Sequence, residues 1–245
     1  MRASALVTGG FVVLPSLVAA GFVLGSDWAD RRLGAPTGTR RRRAVMLTAA
    51  VLAWLVLTAA AAGSGVLRRF DAFPPPFAGL VIAVVALGVG IVFSPLGTRL
   101  VGGLPLWFLV GFQVFRLPLE LIMHAAAVEG VMPVQMSYSG QNWDILTGIS
   151  AGLLGWRLSR GPVALWIVTA WNVLGFALLV NIVTVAVLST PLFRWFGDDR
   201  LNTFVTYPPF VWLPAVLVPA ALIGHLLVWR KLSQARRERG GGGRS

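Results

Sequence analysis

The sequence has no cysteine, a single lysine among its 21 basic residues, two histidines and two tyrosines in a chain of 245. The missing cysteines exclude disulfides, thiolate chemistry and cysteine-ligated metals. Charge is scarce as well. Charged residues make up 12% of the chain, against about 25% in soluble domains, so half the usual solubilising surface is absent. No Walker A lysine loop, dinucleotide fingerprint, serine nucleophile elbow between strand and helix, or HExxH is recognisable. No metal and no cofactor is expected.

What is present is hydrophobic residues, 56% of the chain at a mean hydropathy of +0.77. They fall in long blocks, the pattern of bilayer spans. The reading is an all-α polytopic transmembrane bundle, with seven apolar segments at about 6–25, 44–66, 77–97, 103–126, 143–157, 162–187 and 209–229. The first is read as a retained span, its apolar run being too long for a signal peptide's. The fifth is short or re-entrant, since only residues 145–156 lie between Asp144 and Arg157. Residues 1–231 are expected to form one membrane domain and residues 232–245 a flexible, basic, glycine-rich tail.

The net charge of +12 sits in short loops and that tail. It does not read as a nucleic-acid footprint, because no basic-and-aromatic module accompanies it. With seven crossings, residues 26–43, Arg99, Arg157, Arg160 and the tail share a side carrying +12, and the other side sums to zero. The positive-inside bias then puts the N-terminus outside and the C-terminus in the cytoplasm, where anionic lipid headgroups are the expected partner. The 20-to-1 ratio of arginine to lysine suggests a GC-rich bacterial genome, and the expected location is a bacterial cytoplasmic (inner) membrane.

Polar groups inside the apolar blocks are the candidate functional residues. Gln113, Arg116, Glu120 and His124 fall within about 80° of one another on a helical projection. Arg116 and Glu120 are expected to pair at i,i+4, with Pro118 kinking the helix between them and freeing a carbonyl. Ionisable groups at that depth are costly enough to favour a function. The polar stretch 133–148 follows, with Asn142 before a helix start at Asp144, and is expected to form an outer mouth. Asn172 and Asn181 are expected to hydrogen-bond between helices. His225 is expected near the inner end, too far from His124 for a shared site. Gly21-x-x-x-Gly25 and Gly148-x-x-x-Gly152 permit close helix contacts.

Arg116-Leu-Pro-Leu-Glu120, followed by Gly140-Gln-Asn-Trp-Asp144, resembles a group of uncharacterised bacterial multi-pass membrane proteins. That group carries an Arg-x-Pro-x-Glu helix and a Gly-x-Asn-aromatic-Asp turn. The resemblance covers chiefly residues 111–150. It implies that Arg116, Pro118, Glu120, Gly140, Asn142 and Asp144 are shared motif residues, and it implies no particular activity.

The function expected from the residues is a membrane-embedded permease or binding protein for a small polar or anionic ligand, linked to protons. Arg116 would attract the anionic group, Glu120 would exchange the proton and Asp144 would order the mouth. Two alternatives stay open: an enzyme acting on a lipid-linked substrate with Glu120, His124 or Asp144 as acid and base, and a structural or assembly subunit with a membrane-protein partner.

Overall fold

The computed structural model describes residues 3–241, and among them every regular element is helical. The helices are α1 (Ala5–Arg32), α2 (Thr37–Gly63), α3 (Pro76–Phe93), α4 (Pro95–Gly103), α5 (Leu106–Gly111), α6 (Arg116–Val128), α7 (Asp144–Arg160), α8 (Leu165–Leu188) and α9 (Val218–Gly241). A 3-10 stretch, Phe112–Phe115, joins α5 to α6, and a π-helical stretch, Leu213–Leu217, leads into α9. Ser94 separates α3 from α4 and caps the latter, its hydroxyl accepting from the Leu96 and Gly97 N–H groups.

Six helices are long and apolar enough to cross a membrane, not the seven expected: α1, α2, α3, Leu106–Val128, α8 and Leu213–Glu238. The segment that drops out is α7. Its 17 residues carry Asp144 in the first turn and Arg157 and Arg160 in the last. At 1.5 Å per residue that is about 25 Å, short of the roughly 30 Å hydrocarbon core. Residues 133–143 fold back into the bundle before α7 begins, burying Gln135, Ser137 and Asn142.

α7 runs antiparallel to α5 and α6, and small residues let it come close. A Cβ on Gly148 would lie 2.4 Å from the Leu117 nitrogen, and one on Gly155 would lie 2.9 Å from the Gly111 Cα. The sequence's Gly148 thus marks a backbone-to-backbone seam. This seam fixes the level of Asp144 against α6.

The bundle's inner surfaces form two apolar cores. One gathers Phe11, Phe204 and Phe210 in edge-to-face contacts beneath the chain that precedes α9, and the other joins α1, α4, α5 and α9 around Leu100, Val101 and Val228. The outward surface is apolar too, with Leu24, Val56, Phe93 and Leu153 more than half exposed. That is a lipid-facing surface rather than a water-facing one. Trp143, Trp156, Trp166 and Trp195 are also exposed and lie near helix ends, where an aromatic belt sits.

Two further expectations change. Residues 26–43 are mostly helix rather than loop, since α1 continues to Arg32 and α2 starts at Thr37. Asp27 bonds Arg31 and Arg40, and buried Asp30 bonds Arg43 and Arg99. The segment read as a tail from residue 232 continues α9 as far as Gly241, and residues 242–245 lie outside the described part.

Candidate functional site

Arg116 opens α6 directly after the 3-10 stretch. Pro118 explains that stretch: its ring excludes the carbonyl of residue 114, four positions back, from the α-helical ladder. The distortion therefore falls upstream of the proline, at Phe112–Phe115.

Arg116 is 1% exposed, yet its partner is not Glu120. Its Nε donates to Asp144 Oδ2 at 3.1 Å, and Nη2 closes on the same oxygen. Its Nη1 donates to His225 Nε2 at 2.9 Å and reaches the Gly175 carbonyl at 3.4 Å. Among the described residues, Arg116 and Glu120 form no ion pair. Helical side chains lean toward the N-terminus, so an arginine that precedes a glutamate by four residues leans away from it. Asp144, delivered by α7, lies where the guanidinium points.

The contact with His225 fixes that ring's tautomer. A guanidinium has donors only, so Nε2 must accept and Nδ1 carries the hydrogen. Nδ1 donates to Asn172 Oδ1 at 2.9 Å, while Asn172 Nδ2 returns a bond to the His225 carbonyl at 3.1 Å. Asn172 does bridge helices as expected, from α8 to α9. Gly175 makes room for the ring, since a Cβ there would lie 2.7 Å from His225 Cε1.

Glu120 belongs to the same buried group through Asn142. Asn142 Nδ2 donates to Glu120 Oε1 at 2.7 Å and to the Met136 carbonyl at 3.1 Å, and its Oδ1 accepts the Asp144 N–H at 3.1 Å. Glu120 Oε2 and Asp144 Oδ1 are both buried without a hydrogen-bond partner. The group therefore sets two carboxyls against one guanidinium. Buried net negative charge is costly in a membrane interior, and with both carboxyls ionised the cluster is one positive charge short.

The expected polar path is broken at both ends. Gln113 is buried but turns to α9, donating to the Ala221 carbonyl at 3.0 Å. His124 leaves the cluster, bonding Ser139 Oγ through Nδ1 at 2.7 Å and stacking on Tyr138. Asn142 and Asp144, expected at the mouth, are instead part of the floor. Asn181 bonds the Gln141 carbonyl in the loop before α7 rather than a neighbouring helix. Gly148 to Gly152 does spell Gly-x-Ser-x-Gly, but Ser150 lies inside α7 and its hydroxyl donates to the Leu146 carbonyl, so it forms no nucleophile elbow.

His225 and Gly175 are the site members that the residues alone did not mark. The sequence places His225 only five residues before Arg230, near the end of the apolar run, and it is the contact with Arg116 that sets it at the level of the cluster.

A cavity of about 310 Å³ adjoins the cluster, with Arg116, Glu120, Asn142 and Asp144 at its polar end and Phe77, Leu179 and Leu217 among its apolar walls. Among the described residues, no group of three or more histidines and acids is gathered to hold a metal ion. No family model matches the chain, and no curated protein or solved structure matches it.

Proposed function

We propose that this chain is a bacterial inner-membrane binding protein or permease whose ligand site is the buried cluster of Arg116, Asp144, Asn142 and Glu120. Its N-terminus faces outward and its C-terminus the cytoplasm. That orientation is supported by the +12 charge bias and by the antiparallel course of α7, which returns the chain to the side where α5 begins.

The observation that carries the functional reading is the unpartnered Glu120 Oε2 beside a cavity. It offers an acceptor where a ligand's donor or positive charge can dock. The arginine does not play the anion-attracting role that its charge alone suggests, because its charge is paired with Asp144 and four of its five N–H donors are committed to Asp144, His225 and Gly175. Arg116 positions, and Glu120 receives. Exchange between a proton and a donor-bearing ligand at Glu120 links binding to pH.

The test uses butylamine as a probe of that polar end, with the melting temperature of the protein in lipid nanodiscs as the readout. Butylamine stabilisation should vary between pH 5 and pH 8 and lose that variation in Glu120→Gln. An unchanged pH dependence in the variant rejects the role.

One observation favours a second reading, an enzyme working at the outer face. The bond between His124 Nδ1 and the exposed Ser139 hydroxyl has the length of a nucleophile–base pair. This reading requires a fluorophosphonate to label Ser139 and the labelling to vanish in His124→Ala.

A further inference from the structure

We infer that the cavity takes a membrane-resident amphiphile, entering sideways from the bilayer between α3 and α8, with a hydrogen-bond-donating or cationic head at Glu120 and its tail along the apolar walls. This rests on the reading of Glu120 as the polar end of a ligand site and adds the class of ligand and its route.

The route follows from the packing. α3 and α8 each pack on α9, yet they share no extended seam with each other. Both line the cavity, and the lining residues at its rim face outward: Val85 on α3 is 41% exposed and Val180 on α8 is 49% exposed. These positions lie on spans whose outward surface is lipid-facing. An opening there connects with acyl chains, not water.

The ligand's tail follows from volume and lining. A dry apolar cavity of roughly 150 Å³ is enough to admit benzene. This one is about 310 Å³, and between its polar end and its rim the walls are mainly valine, leucine, isoleucine, phenylalanine and methionine, with Thr184 and Asn202 as the polar exceptions. A small polar solute would leave those walls facing empty space. A hydrocarbon chain fills them.

The head's chemistry follows from charge. Two buried carboxyl oxygens, Glu120 Oε2 and Asp144 Oδ1, lack partners, while four of the guanidinium's five N–H groups are taken by Asp144, His225 and Gly175. An anionic head would add a third negative group beside one positive one. An amine or hydroxyl head supplies what the site lacks. A charge-assisted bond to Glu120 is also about twice as strong as a neutral one.

The experiment compares three probes on the full chain in nanodiscs by melting temperature: oleylamine, oleic acid and butylamine. Two cavity-filling variants, Val183→Trp and Val81→Trp, are set against Val173→Trp, which lies on α8 outside the cavity and is 51% exposed. Oleylamine should stabilise wild type and Val173→Trp. Its apparent affinity should fall about tenfold or more in each cavity-filling variant that melts like wild type without probe, while butylamine's is unchanged. Glu120→Gln should weaken both amines. If oleic acid stabilises as well as oleylamine, the head assignment is wrong. If oleylamine binding survives a folded cavity-filling variant, the tail and route are wrong but the Glu120 site stands. If neither amine binds, the underlying site reading fails as well.

Discussion

Replacing Arg116 by methionine strands Asp144 as a buried carboxylate without its counter-charge, a loss of about 3–5 kcal/mol. It also leaves His225 Nε2 as a buried acceptor without a donor, about 1–3 kcal/mol more. The Gly175 carbonyl adds little, because its bond to Arg116 is long, at 3.4 Å. Asp144→Leu strands the guanidinium instead, again about 3–5 kcal/mol, but spares the contact with His225. The double variant removes both charges together. Only the His225 acceptor is then left unsatisfied, so the double variant should lose about 1–3 kcal/mol and be more stable than either single one. Glu120 keeps its bond from Asn142 in all three variants. Reversible unfolding in mixed micelles, titrated with dodecyl sulfate, measures each value. Two outcomes refute the reasoning. If the single losses add in the double variant, the pair is not coupled. If Arg116→Met is instead rescued by Glu120→Leu and not by Asp144→Leu, the arginine belongs to the glutamate, as the local spacing suggests.

Gly175→Ala drives a methyl into the His225 ring and should cost about 1–3 kcal/mol, seen as a lower melting temperature; an unchanged value means that the α8–α9 contact is loose. At the start of α1, Glu129 accepts from both the Ser4 hydroxyl and the Ser4 N–H, which hold its carboxyl below the ordinary value of 4.5. A carboxyl lowered on folding stabilises above its unfolded pKa and loses that contribution as pH falls through the folded one. Ser4 also caps α1, its hydroxyl accepting from the Val7 N–H, so the melting-temperature gap between wild type and Ser4→Ala should be full at pH 6 and narrow without closing as pH drops below 4.5, whereas a gap independent of pH would assign it to that cap alone. Because the chain has no native cysteine, single-cysteine variants report topology cleanly. In intact cells a membrane-impermeant maleimide should label Ser139→Cys and spare Arg42→Cys; the reverse pattern overturns the orientation.

Much of the fold is legible in the sequence because its signals are local. A run of apolar residues long enough for a bilayer declares a helix whatever it packs on, and the six long helices all coincide with such runs. The glycines of Gly21-x-x-x-Gly25 meet Phe112 and Phe108, and Gly148 meets the α6 backbone, so both small-residue pairs are packing seams. What is not legible is where an apolar helix stops once its surface turns polar. Arginine-rich residues 40–43 and 236–237 read as loop and tail, yet both continue helices, since arginine is a good helix former and reaches water along its own stem.

The site itself is hidden for a different reason. His225 lies only five residues before Arg230, so its place in the sequence suggests the membrane edge and no meeting with Arg116. The reach of the Arg116 side chain and the room left by Gly175 bring the two together, with Asn172 holding the far side of the ring. The pairing of Arg116 was misread for a related reason. An i,i+4 pair is visible in one sequence window but is worth only about 0.2–0.5 kcal/mol on a helix surface, and arginine before glutamate is its weaker order. The partner that wins comes from 28 residues away, held at the right level by a glycine seam whose function is purely steric. A buried cluster of this kind is written in the sequence as residue types. Its pairing, and therefore which carboxyl remains open to a ligand, is decided by helix ends and close approaches that lie elsewhere in the chain.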